Sequence, residues 1–171
     1  VESRGLGDVY KRQIMTMKHI FSIILGLMAF CQLQAQSWTA DNGNGTFTNP
    51  LFYDEFTDPD LIRVGTDYYM VASSMHAMPG LPLLRSKDLV NWEFVTYIFD
   101  KLDLGPDFHL EGDKGIYGNG IWAPAIRYHK GTFYVFVNVN DHGLQVFSAK
   151  NPAGPWTHKN MGAVSYTHLT L

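Results

Sequence analysis

Short runs of apolar residues, separated by turns rich in Gly, Pro, Asn and Asp, extend along residues 49–161. Runs of four to eight residues that are dominated by β-branched and aromatic side chains are typical of β-strands. The pattern predicts strands at residues 61–64, 68–73, 83–86, 125–128, 132–139 and 144–148, and one more after each of Trp92 and Trp156. No helix longer than the apolar run at 20–30 is evident. The pattern therefore favours an all-β chain.

The predicted strands occur in two copies at an offset near 65 residues. The aligned features are Asp58-Pro59 with Ala123-Pro124, Tyr68-Tyr69 with Phe133-Tyr134, Ser86 near Ser148, and Trp92 near Trp156. Any two antiparallel sheets share some strand and turn patterns, but the common placement of Pro, an aromatic pair, Ser and Trp argues for a true repeat. Four antiparallel strands in each unit are typical of a β-propeller blade.

Composition narrows the class of protein. Hydrophobic residues make up 46% of the chain, charged residues 17% and aromatic residues 14%, which is the composition of a soluble protein rich in aromatic side chains. The formal net charge of −3 provides no basic surface for nucleic acid. The sequence has no phosphate-binding loop, nucleophile elbow or zinc motif, and His109, His129 and His142 lack the spacing of metal ligands. We therefore predict no metal site.

The two ends of the chain share a coding pattern at the DNA level. Residues 3–13 and 164–169 can be encoded by one short DNA element that is read in opposite orientations. This resembles read-through of a transposon-based sequencing adapter. We therefore interpret residues 1–13 and 164–171 as adapter-like artefacts and exclude them from the fold.

Residues 14–35 have the pattern of a secretory signal peptide. A short basic start at Met17-Lys18-His19 precedes an apolar run at 20–30, and Ala35 offers a small residue before a cut at Gln36. The run is too short to span a bilayer, which takes about 20 residues. We therefore expect an exported protein, periplasmic or extracellular and not integral to the membrane. Residues 36–163 are then the amino-terminal part of its propeller domain.

Asp58 is the candidate for chemistry that the blade pattern suggests. The first strand of a propeller blade lines the central channel, so a residue that opens this strand faces the place where ligands enter. A carboxylate there can act as a general base on water. An Asp-Pro pair alone is weak evidence, because Asp before Pro commonly starts a turn.

An ordered set of motifs resembles glycoside hydrolase family 43. The matching segments are Asn49-Pro50, residues 56–60, residues 63–69, Pro79-Gly80, residues 86–92, residues 120–124, residues 128–134 and residues 154–156. The resemblance implies a five-bladed propeller of which this chain holds the first two blades. It implies an inverting hydrolase that cleaves terminal β-xylosyl or α-L-arabinofuranosyl units from an oligosaccharide or polysaccharide, without a cofactor in this part of the chain. A channel-bound calcium ion in the full-length protein fits the same resemblance.

The resemblance also assigns roles to residues. Asp58 takes the place of the general base, and the general acid and a third carboxylate belong to later blades, so this segment alone is predicted to be inactive. Asp60 is expected to serve a turn or strand surface. Trp122 matches the Trp of a Trp-Ala-Pro motif and is expected to stack on a sugar. Met75 and His76 stand where xylosidase-like members carry aromatic residues, a departure that leaves the sugar preference undecided. We expect both to contact the substrate, with an ordinary loop histidine as the alternative for His76.

Three interpretations remain open at this point. The first is a glycosidase whose preference for xylosyl or arabinofuranosyl units is undecided. The second is a propeller that binds sugar without hydrolysis, and the third is a related five-bladed glycosidase family. Fold analogy alone does not separate them.

Overall fold

A computed structural model describes residues 39–109, 113, 115–116 and 120–162. The predicted signal peptide and both adapter-like ends lie outside these residues. Within the described part, the strands form two four-stranded antiparallel sheets. Blade 1 consists of β1 (Asp60–Val64), β2 (Asp67–Val71), β3 (Gly80–Ser86) and β4 (Trp92–Phe99), and blade 2 of β5 (Ile121–His129), β6 (Thr132–Val139), β7 (Gly143–Ala149) and β8 (Thr157–Asn160).

The observed strands confirm the predicted ones, and their pairing sharpens the repeat. Tyr68 pairs with Ser86 in blade 1, whereas Phe133 pairs with Ala149 in blade 2. The residue equivalent to Ser86 is therefore Ala149, one position beyond Ser148. A shorter connection between the second and third strands of blade 2 accounts for the difference. A short 3₁₀ helix, Pro106–His109, lies between the two blades in sequence.

The hairpin that joins β5 to β6 shows how local sequence sets the strand pairing. His129 pairs with Thr132, which leaves a two-residue loop of Lys130 and Gly131. Both loop residues have positive φ angles, 46° and 79°. Such a loop follows the right-handed twist of the flanking strands, and glycine favours it because it has no Cβ.

The core lies between the two sheets. Residues of β6 and β7 alternate between buried and half-buried positions, as expected for strands with one face packed on a core. Aromatic side chains join the blades: Phe99 stacks on Phe147 with 5.2 Å between ring centroids, and Tyr69 meets Phe133 edge-on at 5.0 Å. Packing across this seam therefore fixes one sheet against the other.

The sheets approach each other at their first strands and separate at their last. The backbone N–H of Ile126 in β5 donates a hydrogen bond of 2.8 Å to the side-chain oxygen Oδ2 of Asp60 in β1. At the opposite edge, a cleft of about 480 Å³ opens between residues 96–102 and residues 153–158. Sheets that meet at the inner edge and diverge outward have the radial arrangement of propeller blades.

Candidate active site at the seam between the blades

Asp58 lies two residues before the start of β1 and is exposed. Its backbone φ is 48°, in the left-handed region that a residue other than glycine seldom adopts. A residue that precedes proline is normally held in extended conformations, so the surrounding structure must impose this one. Strained backbone of this kind is concentrated at functional sites.

Ser73 holds the Asp58 carboxylate. The Ser73 hydroxyl donates to Asp58 Oδ2 at 3.0 Å, and the Ser73 backbone N–H donates to the Thr57 carbonyl at 2.9 Å. Ser73 is 5% exposed and follows the end of β2. The serine therefore ties the end of β2 to the turn that presents the carboxylate.

The same hydroxyl reaches blade 2. Ser73 Oγ accepts a hydrogen bond of 2.8 Å from the backbone N–H of Ala123. Ala123 is the repeat equivalent of Asp58, and its φ of 45° is nearly the same. It lies where the pairing of β5 with β6 is irregular, between Trp122 and Ala125. Trp122 beside it is 38% exposed, so its indole is not part of the buried core.

Met75 completes the contact between the blades at this edge. Its backbone N–H and carbonyl exchange two hydrogen bonds of 3.1 Å with Ile121. A Cβ on Gly120 would lie 2.5 Å from the Met75 carbonyl oxygen, so this close approach requires glycine. His76 follows in a turn and is half-buried. The residues predicted to act on the sugar therefore occupy the same edge of the two blades.

Asp60, two residues after Asp58, has a different environment. Its Oδ2 accepts hydrogen bonds from the Ile126 backbone N–H at 2.8 Å and from the Arg127 guanidinium at 2.5 Å. Both partners belong to blade 2. Asp60 therefore joins the two blades through its carboxylate, a contact that the expected role in a turn or on a strand surface did not include.

Trp92 and Trp156 close turns in the two blades. The Trp92 indole N–H donates to the Leu89 carbonyl at 2.9 Å, and the Trp156 indole N–H donates to the Pro152 carbonyl at 3.1 Å. Each indole therefore satisfies a backbone carbonyl in the turn of its own blade.

The described residues contain no group of three or more His, Cys, Asp or Glu side chains that could hold a metal ion. The described residues therefore contain no cluster of such side chains for the channel calcium that the resemblance suggested. In the same part of the chain, no helix is both long and apolar enough to cross a membrane.

The groups with displaced pKa values lie away from Asp58. Burial raises the pKa of the Tyr69 hydroxyl, and the nearby Asp67 carboxylate adds to this increase. Burial lowers the pKa of the His158 imidazole. Hydrogen bonds from the Asn91 side chain and backbone hold the pKa of Asp88 well below its usual range. Tyr69 belongs to the core, His158 to the edge strand β8, and Asp88 to a turn.

Comparison with known proteins identifies the family. The profile of glycosyl hydrolases family 43 matches residues 47–168, and the chain belongs to this family. The last matched residues overlap the tail that the DNA pattern assigns to the adapter. The two sheets are accordingly the first two blades of the family's five-bladed β-propeller.

Individual relatives carry names that agree with this assignment. A β-xylosidase of Formosa agariphila is 40% identical over 72% of this chain and 21% of its own length. A non-reducing end α-L-arabinofuranosidase of Bacteroides ovatus is 42% identical over 66% of this chain and 21% of its own length. A solved structure described as a bifunctional GH43-CE protein of Bacteroides eggerthii is 38% identical, with a TM-score of 0.63, over 68% of this chain and 15% of that one. The chain thus spans about a fifth of the length of the curated relatives.

Ser73 is the residue of this site that the sequence pattern did not reveal. The sequence placed it at the end of a strand, where it reads as an ordinary edge residue. In the sequence, Ser73 directly follows the apolar run at residues 69–72, which was the available signal that its hydroxyl is buried. A buried hydroxyl needs hydrogen-bond partners, and the sequence does not say which.

Proposed function

We propose that this chain is the amino-terminal part of an exported inverting glycosidase that removes terminal β-xylosyl or α-L-arabinofuranosyl units from plant hemicellulose. The observation that carries the proposal is the exposed carboxylate of Asp58, which Ser73 holds at the seam between the blades in a member of family 43. The names of the xylosidase and arabinofuranosidase relatives support the two sugars. The signal-peptide pattern at residues 14–35 supports export.

In the proposed reaction, Asp58 acts as the general base. Its carboxylate takes a proton from water while the water oxygen attacks the anomeric carbon and the glycosidic C–O bond breaks. A carboxylic acid from a later blade protonates the departing oxygen. Inversion needs space for water between the two carboxyl groups, typically about 6.5–9.5 Å. Asp60 is not proposed as the acid, because its carboxylate is held by the Ile126 N–H and the Arg127 guanidinium of blade 2.

Trp122, Met75 and His76 are proposed to bind the sugar. The exposed part of the Trp122 indole provides an apolar face for the C–H bonds of a sugar ring. Met75 is held next to it through Ile121, and its flexible thioether can adapt to the substrate. The His76 imidazole is proposed to hydrogen-bond a sugar hydroxyl.

The experiment uses the longer protein that contains this chain, with aryl β-xyloside and aryl α-L-arabinofuranoside as substrates. Asp58→Asn should lower kcat by about 10²–10⁴-fold, because an amide cannot accept the proton. Trp122→Ala should instead raise KM by weakening binding. An Asp58→Asn variant that keeps more than about a tenth of wild-type kcat would refute the base assignment. Sugar binding without turnover by the wild type would favour the sugar-binding alternative.

A further inference from the structure

We infer that Ser73 is a positioning residue, whose hydroxyl orients the Asp58 carboxylate for proton transfer and fixes it relative to blade 2. This inference rests on the proposed function, because it gives Ser73 a role only through the general base. The supporting geometry is a nearly buried hydroxyl, 5% exposed, between a carboxylate of one blade and a backbone N–H of the other.

The two hydrogen bonds allow only one direction for the hydroxyl proton. The Ala123 backbone N–H can only donate, so Ser73 Oγ accepts from it at 2.8 Å. An ionised carboxylate can only accept, so the single proton of the hydroxyl points to Asp58 Oδ2 at 3.0 Å. Ser73 therefore engages one carboxylate oxygen from a fixed direction. This leaves the other oxygen, Oδ1, to meet the attacking water.

Ser73 also supports the unusual backbone on both sides of the seam. Its N–H binds the Thr57 carbonyl, next to Asp58, and its Oγ binds the Ala123 N–H. The backbone at Asp58 and at Ala123 lies in the left-handed region, with φ angles of 48° and 45°. Conformations of this kind persist only when the surrounding contacts over-determine them. One serine thus contacts both turns that shape the site.

The first test is kinetic and uses the longer protein. Ser73→Ala should lower kcat by about ten-fold or more, because a hydrogen bond to a charged group is lost, while KM stays within about two-fold. Ser73→Thr keeps the hydroxyl and should retain most of the wild-type kcat. Ser74→Ala is the matched control: its hydroxyl is buried next to Ser73 and has no hydrogen-bond partner in the described structure, so kcat should stay near wild type.

The second test is a double-mutant cycle. A residue that acts through Asp58 has nothing left to orient once the base is removed, so Ser73→Ala should change kcat by less than about two-fold in the Asp58→Asn background. An equal loss in both backgrounds would show an independent structural effect and overturn the inference. If Ser73→Ala does not fold, Ser73→Cys replaces it, because a thiol is a weak donor and should give the same loss. Wild-type kcat in that variant would also overturn the inference.

The outcomes separate this inference from the function on which it rests. An inactive wild-type protein, or an active Asp58→Asn variant, refutes the proposed function and the role of Ser73 together. An active wild type with an impaired Asp58→Asn variant and an unimpaired Ser73→Ala variant refutes only the role of Ser73.

Discussion

The two blades share one backbone plan but differ in the residue that opens the first strand. In blade 1 the pair Asp58-Pro59 precedes β1, and in blade 2 the equivalent pair Ala123-Pro124 lies near the start of β5, with φ angles of 48° at Asp58 and 45° at Ala123. The carboxylate at the blade 1 position is held by Ser73, whereas the blade 2 position supplies a backbone N–H to the same serine. The repeated backbone therefore presents an equivalent position in each of the two described blades, and only blade 1 has a carboxylate there.

The blades also differ in how their outward faces are covered. The lead-in segment, residues 39–59, lies beside blade 1: Asp41 accepts a hydrogen bond of 2.8 Å from Asn91, and the Phe52 ring lies 6.2 Å from that of Trp92. On blade 2, Tyr134 and Phe136 point away from the core and are only half-buried within the described structure. Blade 2 therefore offers an apolar face for a neighbouring blade.

The largest expected effect follows from the apolar face of blade 2, which the lead-in segment does not cover as it covers blade 1. Residues 36–163 expressed alone should aggregate or fold poorly, because the apolar face of blade 2 and the edge strand β8 lack a neighbour among the described residues. The segment should also show no glycosidase activity, since the proposed general acid lies elsewhere. Size-exclusion chromatography, thermal melting and an aryl xyloside assay provide the readouts. A soluble monomer with a sharp cooperative melt, or any turnover, would contradict this prediction.

The next effect tests whether the position of the carboxylate matters. Moving the acid from one blade to the other, as Asp58→Ala with Ala123→Asp, should leave kcat of the longer protein about 10²–10⁴-fold below wild type. In blade 2, the equivalent residue interacts with Ser73 through its backbone, so its side chain cannot take over the contact that orients Asp58. The single variant Ala123→Asp is the control, because it shows whether kcat tolerates an acid at this position of blade 2. Recovery of wild-type kcat by the swap would show that the two positions are interchangeable.

The sequence was sufficient for the strand plan but not for the contacts that join the blades. Alternation and turn residues predicted the strands of both blades, because these signals are local: Lys130-Gly131 sets its hairpin whatever surrounds it. The position of Asp58 followed from the repeat and the family motifs. The hydrogen bonds of Ser73 and Asp60 were not predictable, because their partners in blade 2 lie 50 and 66 residues away along the chain. Such partners are known only once the sheets are packed together.

A smaller effect is expected for Asp60, and it distinguishes the role of this carboxylate from that of Asp58. Asp60→Ala should lower the free energy of unfolding of the longer protein by about 1–3 kcal/mol, because the buried Ile126 N–H loses its acceptor. The effect on kcat should remain within a few-fold, unlike that of Asp58→Asn. Arg127→Ala is the matched control: it removes an ion pair whose arginine is largely exposed and a hydrogen bond to the Ile126 carbonyl, but leaves the Ile126 N–H its acceptor, and should cost no more than about 1 kcal/mol. Urea denaturation monitored by tryptophan fluorescence measures both, and a 100-fold fall in kcat for Asp60→Ala would assign Asp60 to the chemistry.

The turns that join the last two strands of each blade differ in charge. In blade 1, Asp88 Oδ1 accepts backbone N–H hydrogen bonds from Val90 at 2.9 Å and Asn91 at 2.7 Å. In blade 2, the neutral amide of Asn151 accepts one from Ala153 at 3.0 Å. Only the blade 1 turn is therefore expected to respond to acid.

The smallest expected effect is this difference in acid sensitivity. The pKa of Asp88 is lowered from its ordinary value of 3.8 by hydrogen bonds from Asn91 and Val90, so its contribution to stability is present above about pH 3.8 and is lost as the pH falls further toward the folded-state pKa. Asp88→Ala should lower the Tm of the longer protein by about 1–2 °C at pH 7, because exposed charged contacts contribute little. This loss should shrink between pH 3.8 and pH 2.5. Asn151→Ala is the matched change in blade 2, and it should lower the Tm by the same amount at pH 7 and at about pH 2.5, since an amide does not titrate. A Tm loss for Asp88→Ala that stays constant down to about pH 2.5 would show that the Asp88 carboxylate does not stabilise the blade 1 turn.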